Sequence, residues 1–254
     1  MKASWQRAPI LPKGILVASD QNLEWLLPWW WENYCSSNSL PVTFVDFGMS
    51  ESARSFCKEH GELLDFAFDP TFVKKRENLH PEVNKKWKNY GKTFWEARDG
   101  WFKKPLAMLQ THFAQTLWLD LDCEVLKPLE PIFDLLSEEE HFGIVPEPLF
   151  YQGGPDLLFG EVLYNSGVVL FRHGSTLLQT WAQRSLKENA KFLGDQDLLS
   201  RIIFEQKIPV VQLPEIYNAR LVTGIPFHAT IIHWVGNWGK AFLRHHGGLK
   251  EMKF

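Results

Sequence analysis

Two aspartates interrupt an apolar segment near the middle of the chain, and this segment constrains the fold most. Residues 117–125 read Leu-Trp-Leu-Asp-Leu-Asp-Cys-Glu-Val, so apolar side chains lead into Asp120 and Asp122 and resume after them. Such a run predicts a buried strand, in which two carboxylates are costly unless the strand ends there and a cation binds them. We therefore expect both aspartates at an exposed strand end. Mg²⁺ and Mn²⁺ take such oxygen ligands and keep positions open for nucleotide phosphates.

Strands alternate with helices in the first half of the sequence. Residues 14–20 and 41–47 are short apolar runs that predict strands, whereas residues 23–34 and the stretch after Ser50 predict helices. This alternation predicts an α/β fold with a Rossmann-like, mostly parallel twisted sheet flanked by helices. Ligands of such sheets bind beyond the carboxyl ends of the strands, and Asp20 lies at one of these predicted ends.

Composition excludes several classes of protein. The 254 residues are 45% hydrophobic, enough for a substantial core, and the formal net charge of −3 offers no overall field that attracts nucleic acid. Three cysteines without metal-ligand spacing fit a reducing compartment. No apolar run reaches the roughly 18 residues that span a bilayer, and the first residues lack a secretory signal pattern. We expect a cytoplasmic protein without a transmembrane segment, with room for peripheral contact at the inner face of a membrane.

Residues 70–104 mix lysines and arginines with aromatic residues. Such mixtures can bind single-stranded nucleic acid, but the patch is short and the rest of the chain is acidic. We predict instead a solvated flap over the active site, followed by a helix at residues 106–115 that leads into the Asp120 strand. The sequence thus predicts no nucleic-acid partner.

Three further motifs follow the aspartates in order. They are Tyr164-Asn165-Ser166-Gly167-Val168, then Gly194-Asp195-Gln196-Asp197, then His233-Trp234-Val235-Gly236-Asn237-Trp238-Gly239-Lys240. Together with Asp120 and Asp122, this set resembles the retaining family-8 glycosyltransferases, which include glycogenin and bacterial lipopolysaccharide galactosyltransferases. The resemblance covers most of the chain. It implies a single GT-A type domain over residues 1–254, with a nucleotide-binding part at about 14–126 and a sugar and acceptor part at about 127–254.

The resemblance also implies a site and a reaction. Mn²⁺ or Mg²⁺ is expected on Asp120, Asp122 and His233, beside a nucleotide-diphosphate hexose such as UDP-glucose or UDP-galactose. Catalytic roles are expected for Asp195, at the hydroxyls of the transferred sugar, and for Gln196, near its anomeric carbon. The expected donor-binding residues are Ala18, Asp20, Lys104, Asp120, Asn165, Gly236 and Lys240. The acceptor is expected to be a saccharide or glycolipid.

Several residues also have plainer interpretations. Asp20 and Asp195 are typical helix caps, and His233 follows an apolar run in which a packed histidine is common. Lys240 stands one residue later than the lysine in the corresponding motif of the family-8 glycosyltransferases. Two mechanisms stay open, double displacement through a protein nucleophile and front-face attack. A nucleotidyltransferase of similar fold and a noncatalytic sugar-binding protein are the alternative functions, and the lack of glycine in residues 18–25 disfavours the first.

Overall fold

A computed structural model describes residues 11–89, 91–152, 157–226 and 228–249. The strands in these ranges are β1 (Leu11–Ser19), β2 (Val42–Asp46), β3 (Glu62–Asp65), β4 (Phe113–Leu119), β5 (Cys123–Val125), β6 (Phe142–Pro146), β7 (Tyr164–Arg172), β8 (Val211–Gln212) and β9 (Ile231–His233). The helices are α1 (Leu27–Cys35), α2 (Glu51–His60), α3 (Pro81–Lys86), α4 (Lys92–Met108), α5 (Glu130–Phe133), α6 (Thr176–Glu188), α7 (Asp195–Gln206) and α8 (Gly236–His246). The predicted domain limits at residues 1 and 254 lie outside the described residues.

A central sheet has the strand order β3-β2-β1-β4-β7-β6-β8. Its paired strands run parallel except β7, which is antiparallel to both β4 and β6. A separate two-stranded antiparallel ribbon pairs β5 with β9. The predicted mostly parallel α/β fold is therefore confirmed.

Apolar side chains of the central strands alternate between two cores, one on each face of the sheet. Ile15 and Val17 of β1 pack with α1, while Leu16 packs with α4. Strands buried on both faces read as continuous apolar runs, which is why β1, β2 and β4 are visible in the sequence. A local polar cap begins α2, where the Ser50 hydroxyl accepts from the Ala53 N–H.

The basic segment differs from the predicted flap. Its first half does carry exposed lysines, but Arg98, Lys103 and Lys104 are buried in α4, which begins at Lys92 and ends at Met108 rather than spanning residues 106–115. The Arg98 guanidinium donates to the carbonyls of Lys74, Asn189, Phe192 and Leu193 and lies over aromatic rings. Burial of these cations is tolerated because each has polar partners within reach.

None of the described helices is long and apolar enough to cross a membrane.

Candidate active site

The site lies where β4 ends and β7 begins. Because β7 runs antiparallel to β4, its first residues lie beside the carboxyl end of β4, and Asp120 N–H donates to the Gly167 carbonyl at 2.8 Å. The ribbon of β5 and β9 continues from this point and places His233 opposite Cys123. Sheet topology thus brings together three segments that are far apart in sequence.

Asp120, Asp122 and His233 lie close together and form a candidate ligand set. The His233 Nε2 atom lies 3.3 Å from Asp122 Oδ1 and 3.9 Å from Asp120 Oδ2. Asp120 is partly accessible, whereas Asp122 is buried, so the prediction of an exposed strand end is wrong for Asp122. Its burial is compensated by Lys240, whose ammonium forms an ion pair with Asp122 Oδ2. Burial raises the pKa of Asp122, but Lys240 and His233 outweigh burial and hold that pKa well below its usual range.

Neighbouring amides fix the tautomer of His233. Asn165 Oδ1 accepts from the Gly167 N–H, and its Nδ2 donates to Glu147, so the orientation of this amide is determined by a backbone donor and a carboxylate. Asn218 Nδ2 donates to Asn165 Oδ1 and turns its own Oδ1 toward the ring. Both oxygens face His233 Nδ1, at 3.1 and 3.0 Å, so Nδ1 must carry the proton. The other ring nitrogen, Nε2, faces the carboxylates of Asp122 and Asp120.

This arrangement fits a divalent cation. A ring nitrogen that faces carboxylate oxygens needs a proton or a cation between them, and a hydrogen-bonded Nδ1–H is the usual support of a metal-binding histidine. Ligand bonds of about 2.1 Å in the octahedral sites that Mg²⁺ and Mn²⁺ prefer place neighbouring donor atoms about 3.0 Å apart. Asp122 Oδ1 and His233 Nε2 lie 3.3 Å apart, close to that spacing. Mn²⁺ or Mg²⁺ could be held by Asp120, Asp122 and His233.

Lys104 joins the first aspartate to the start of α7. Its buried ammonium lies 3.0 Å from Asp120 Oδ1, 3.6 Å from Asp195 Oδ2 and 3.1 Å from the Ser166 hydroxyl. Burial lowers the pKa of Lys104, but the attraction of Asp120 and Asp195 outweighs burial and raises it above its ordinary value. A fixed positive charge therefore lies beside the ligand set.

The start of α8 explains how Lys240 reaches the site despite its shifted spacing. Gly236 adopts φ = 76°, a left-handed conformation that favours glycine, and a side chain there would meet open space. The helix that begins at Gly236 carries Lys240 back toward Asp122. Lys240 therefore lies beside Asp122, and Gly236 leaves its backbone approachable.

Asp195 and Gln196 begin α7 beside Asn165. The Ser166 hydroxyl donates to Asp195 Oδ2 at 2.8 Å, and Gln196 lies 3.4 Å from Asn165 Nδ2 through its Oε1. The capping contact that the sequence suggests for Asp195 is made instead by Asp197, which accepts from the Gly194 N–H. Asp195 therefore faces the site through its contacts with Ser166 and Lys104.

Sequence analysis did not identify three residues of the site, Glu147, Arg220 and Asn218. Glu147 forms a buried ion pair with Arg220, and its other oxygen accepts from Asn165 Nδ2 at 2.8 Å and Gln196 Nε2 at 3.3 Å. Asn218, the third, holds His233. Glu147 directly follows the apolar residues of β6, so the pattern that identified Asp120 could have found it. Asn218 and Arg220 follow no such run.

Ala18 and Asp20 lie at the end of β1, next to β4 in the sheet. The Asp20 carboxylate accepts from the N–H groups of Asn22 and Leu23, so its side chain makes the local cap that the plainer interpretation predicts. Among the contacts of the described residues, none joins Ala18 or Asp20 to the cluster around Asp120. A donor-binding role for these two residues stays a prediction.

Comparison of structures identifies the fold. No family model matches the sequence, and no curated protein matches it. The chain is similar to the structure of an active-site mutant of LgtC, with 15% identity, a TM-score of 0.62, and coverage of 92% of this chain and 95% of that one. A complex of the galactosyltransferase LgtC with donor and acceptor sugar analogues gives 15% identity, a TM-score of 0.60, and coverage of 88% and 87%.

Mouse xyloside xylosyltransferase 1 in its apo form gives 19% identity and a TM-score of 0.53, over 89% of this chain and 97% of that one. These likenesses extend over 88% to 92% of this chain. The chain therefore has the GT-A fold of the glycosyltransferases, as its motifs predict.

Proposed function

We propose that this protein is a metal-dependent retaining glycosyltransferase that moves a hexose from a UDP-sugar, UDP-glucose or UDP-galactose, to a saccharide or glycolipid acceptor. One observation carries the proposal: His233 Nε2 faces the carboxylates of Asp120 and Asp122 beside the carboxyl end of β4 in a GT-A fold. When Mn²⁺ or Mg²⁺ is bound there, it supplies Lewis-acid stabilisation for the charge that develops on a diphosphate leaving group.

Two lysines would complement the leaving group. Lys104 and Lys240 each place an ammonium against one of the aspartates, so both flank the position of a donor diphosphate. Lysine acts there as a point charge, and Gly236 leaves backbone space beside it. As negative charge moves onto the diphosphate, these cations stabilise it more strongly than the ground state, which is the requirement for catalysis.

Asn165, Asp195 and Gln196 would orient the transferred sugar. Hydrogen bonds with Glu147 and Asn165 hold the Gln196 amide, so the amide is preorganised. The nearby carboxylates of Glu147 and Asp195 are paired with Arg220 and Lys104. Pairing lowers the nucleophilicity of a carboxylate, and this favours front-face attack over double displacement.

A nucleotide panel tests the proposal against both alternative functions. Thermal-shift assays with UDP-glucose, UDP-galactose, UTP and free hexoses, each with and without Mn²⁺, should show the largest stabilisation for a UDP-hexose with Mn²⁺. Stabilisation by UTP alone would favour a nucleotidyltransferase, and stabilisation by free sugar without Mn²⁺ would favour a sugar-binding protein.

Product stereochemistry tests retention. Proton NMR of the glycoside formed on a panel of saccharide acceptors should show the anomeric configuration of the donor. An inverted product would contradict the retaining assignment while leaving metal-dependent transfer intact.

A further inference from the structure

A thiol lies inside the candidate metal centre. Cys123 is fully buried, and its Sγ lies with a carboxylate oxygen of Asp122 and a ring nitrogen of His233 in a group whose ligand atoms are all within 4.8 Å of one another. Cys123 and His233 are also register partners in the antiparallel ribbon. Directly opposed residues of such a pair project their side chains to the same face, so the backbone itself brings thiol and imidazole together.

The surrounding residues leave little freedom to this group. A Cβ placed on Gly167 would lie 2.0 Å from the His233 ring, so only glycine admits the imidazole there. The Cys123 thiol lies 3.8 Å from the Gly167 carbonyl on the same side. Asp122 presents Oδ1 to His233 because Lys240 takes its Oδ2. Three ligand atoms of different type thus share one enclosed space.

We infer that Asp122, Cys123 and His233 form a second binding mode of this centre, which takes a thiophilic divalent cation such as Zn²⁺. Thiolate, imidazole and carboxylate are the ligand types that Zn²⁺ accepts, whereas Mn²⁺ and Mg²⁺ prefer the oxygens of Asp120 and Asp122. On binding, the Cys123 S–H bond is replaced by a sulfur–metal bond and the proton is released to solvent. No electron transfer is involved.

The two modes exclude each other because they share Asp122 and His233. Zn²⁺ held by Asp122, Cys123 and His233 would remove two ligands from the set available to Mn²⁺. The Cys123 thiol therefore gives the centre a preference for cation type that its aspartates alone do not have. Soft and hard cations should compete for the centre.

Cobalt spectroscopy tests the inference without reference to glycosyl transfer. Co²⁺ substitutes for Zn²⁺ and shows a thiolate-to-metal charge-transfer band in the near ultraviolet when cysteine is a ligand. We expect this band on titrating the wild-type protein with Co²⁺ and its loss on adding equimolar Zn²⁺. Wild-type protein without a thiolate band would overturn the inference.

Matched variants identify the thiol. The chain has three cysteines, so the Cys35→Ser/Cys57→Ala double variant keeps Cys123 alone and should keep the band. Asp120→Asn should also keep it, because Asp120 is not a ligand in this mode, while Cys123→Ser should lose it. A band that persists in Cys123→Ser, or that disappears from the double variant at an unchanged melting temperature, would contradict the assignment. Failure of transferase activity in all proteins would leave these spectra unaffected.

Discussion

At the scale of single residues, Gln196 and Lys104 have separable roles. The Gln196 amide is held by the Asn165 amide and the Glu147 carboxylate, whereas Lys104 contributes a buried positive charge beside Asp120. If Gln196 acts as charge develops at the anomeric carbon, Gln196→Ala should lower kcat by about 10²-fold to 10³-fold with little change in donor affinity. Steady-state kinetics with calorimetric donor titration measures both quantities.

Lys104→Met is the companion variant. It keeps the volume of the side chain but removes the ammonium, so we expect weaker donor binding as its main effect. A Gln196→Ala enzyme with wild-type kcat would show that Gln196 has no role in the mechanism. Unchanged donor affinity in Lys104→Met would show that Lys104 does not contact the donor phosphates.

A second prediction at the scale of single residues concerns the Glu147–Arg220 ion pair. Both side chains are buried, so Glu147→Gln leaves the Arg220 guanidinium without its counter-charge. We expect a loss of about 3–5 kcal/mol in unfolding free energy, as for other broken buried pairs. Chemical denaturation measures this loss.

The double variant Glu147→Gln/Arg220→Met serves as its control. Because it removes the uncompensated charge as well, it should recover a large part of the lost stability. A double variant less stable than Glu147→Gln would show that the charge pairing is not the source of the effect.

How far single site residues are predictable depends on where their partners lie. Asp120, Asn165, Asp195, Gln196 and His233 stand in recognisable motifs, and the structure places all five in one network. The burial of Asp122 could not be predicted, because its partner Lys240 is 118 residues further along the chain. Arg220 compensates Glu147 across 73 residues and was missed for the same reason.

At the scale of elements, the start of α7 holds a pH-sensitive carboxylate. Burial raises the pKa of Asp197 from 3.8 to about 6, although its bond from the Gly194 N–H opposes that rise. The folded state therefore binds the proton of Asp197 more tightly than the unfolded state, and protonation of Asp197 stabilises the fold. This stabilisation is fully present below pH 3.8 and is lost as the pH rises through 6.

Asp197→Asn removes this titration while keeping an oxygen that can accept from Gly194. The rise of this pKa from 3.8 to about 6 corresponds to about 3 kcal/mol, so the unfolding free energy of the variant relative to wild type should rise by about that amount between pH 4 and pH 7. Urea denaturation of both proteins at several pH values measures the difference. A difference independent of pH would contradict the raised pKa.

Helix and strand predictions succeeded where local patterns decide the structure. The runs of β1, β2 and β4 and the Ser50 cap of α2 are local signals, and each is found in the structure. The beginning of α4 was mispredicted because its lysines resemble a solvated surface and Pro105 resembles a helix start. Tertiary contacts decide there instead, since Arg98 binds carbonyls of a loop about 90 residues away that leads into α7.

At the scale of the whole molecule, the proposal predicts selectivity for the donor base. The loops after β1 and β2 are joined by a bond from the Gln21 N–H to the Gly48 carbonyl, next to the strand that carries Asp120. If these loops hold uracil, UDP with Mn²⁺ should raise the melting temperature more than ADP or GDP at the same concentration. Equal shifts for the three nucleotides would reject base selectivity.

Metal-dependent cleavage of a UDP-hexose is the central claim, and release of UDP tests it most directly. UDP formation from UDP-glucose or UDP-galactose should require Mn²⁺ or Mg²⁺, stop on chelation with EDTA, and fall at least about 10²-fold in Asp122→Asn, which keeps the shape of a buried ligand. Asp134→Asn, at an exposed acid paired with Lys13, should release UDP at the wild-type rate. Undiminished release in EDTA or by Asp122→Asn would contradict the assignment of Asp120, Asp122 and His233 as the metal centre.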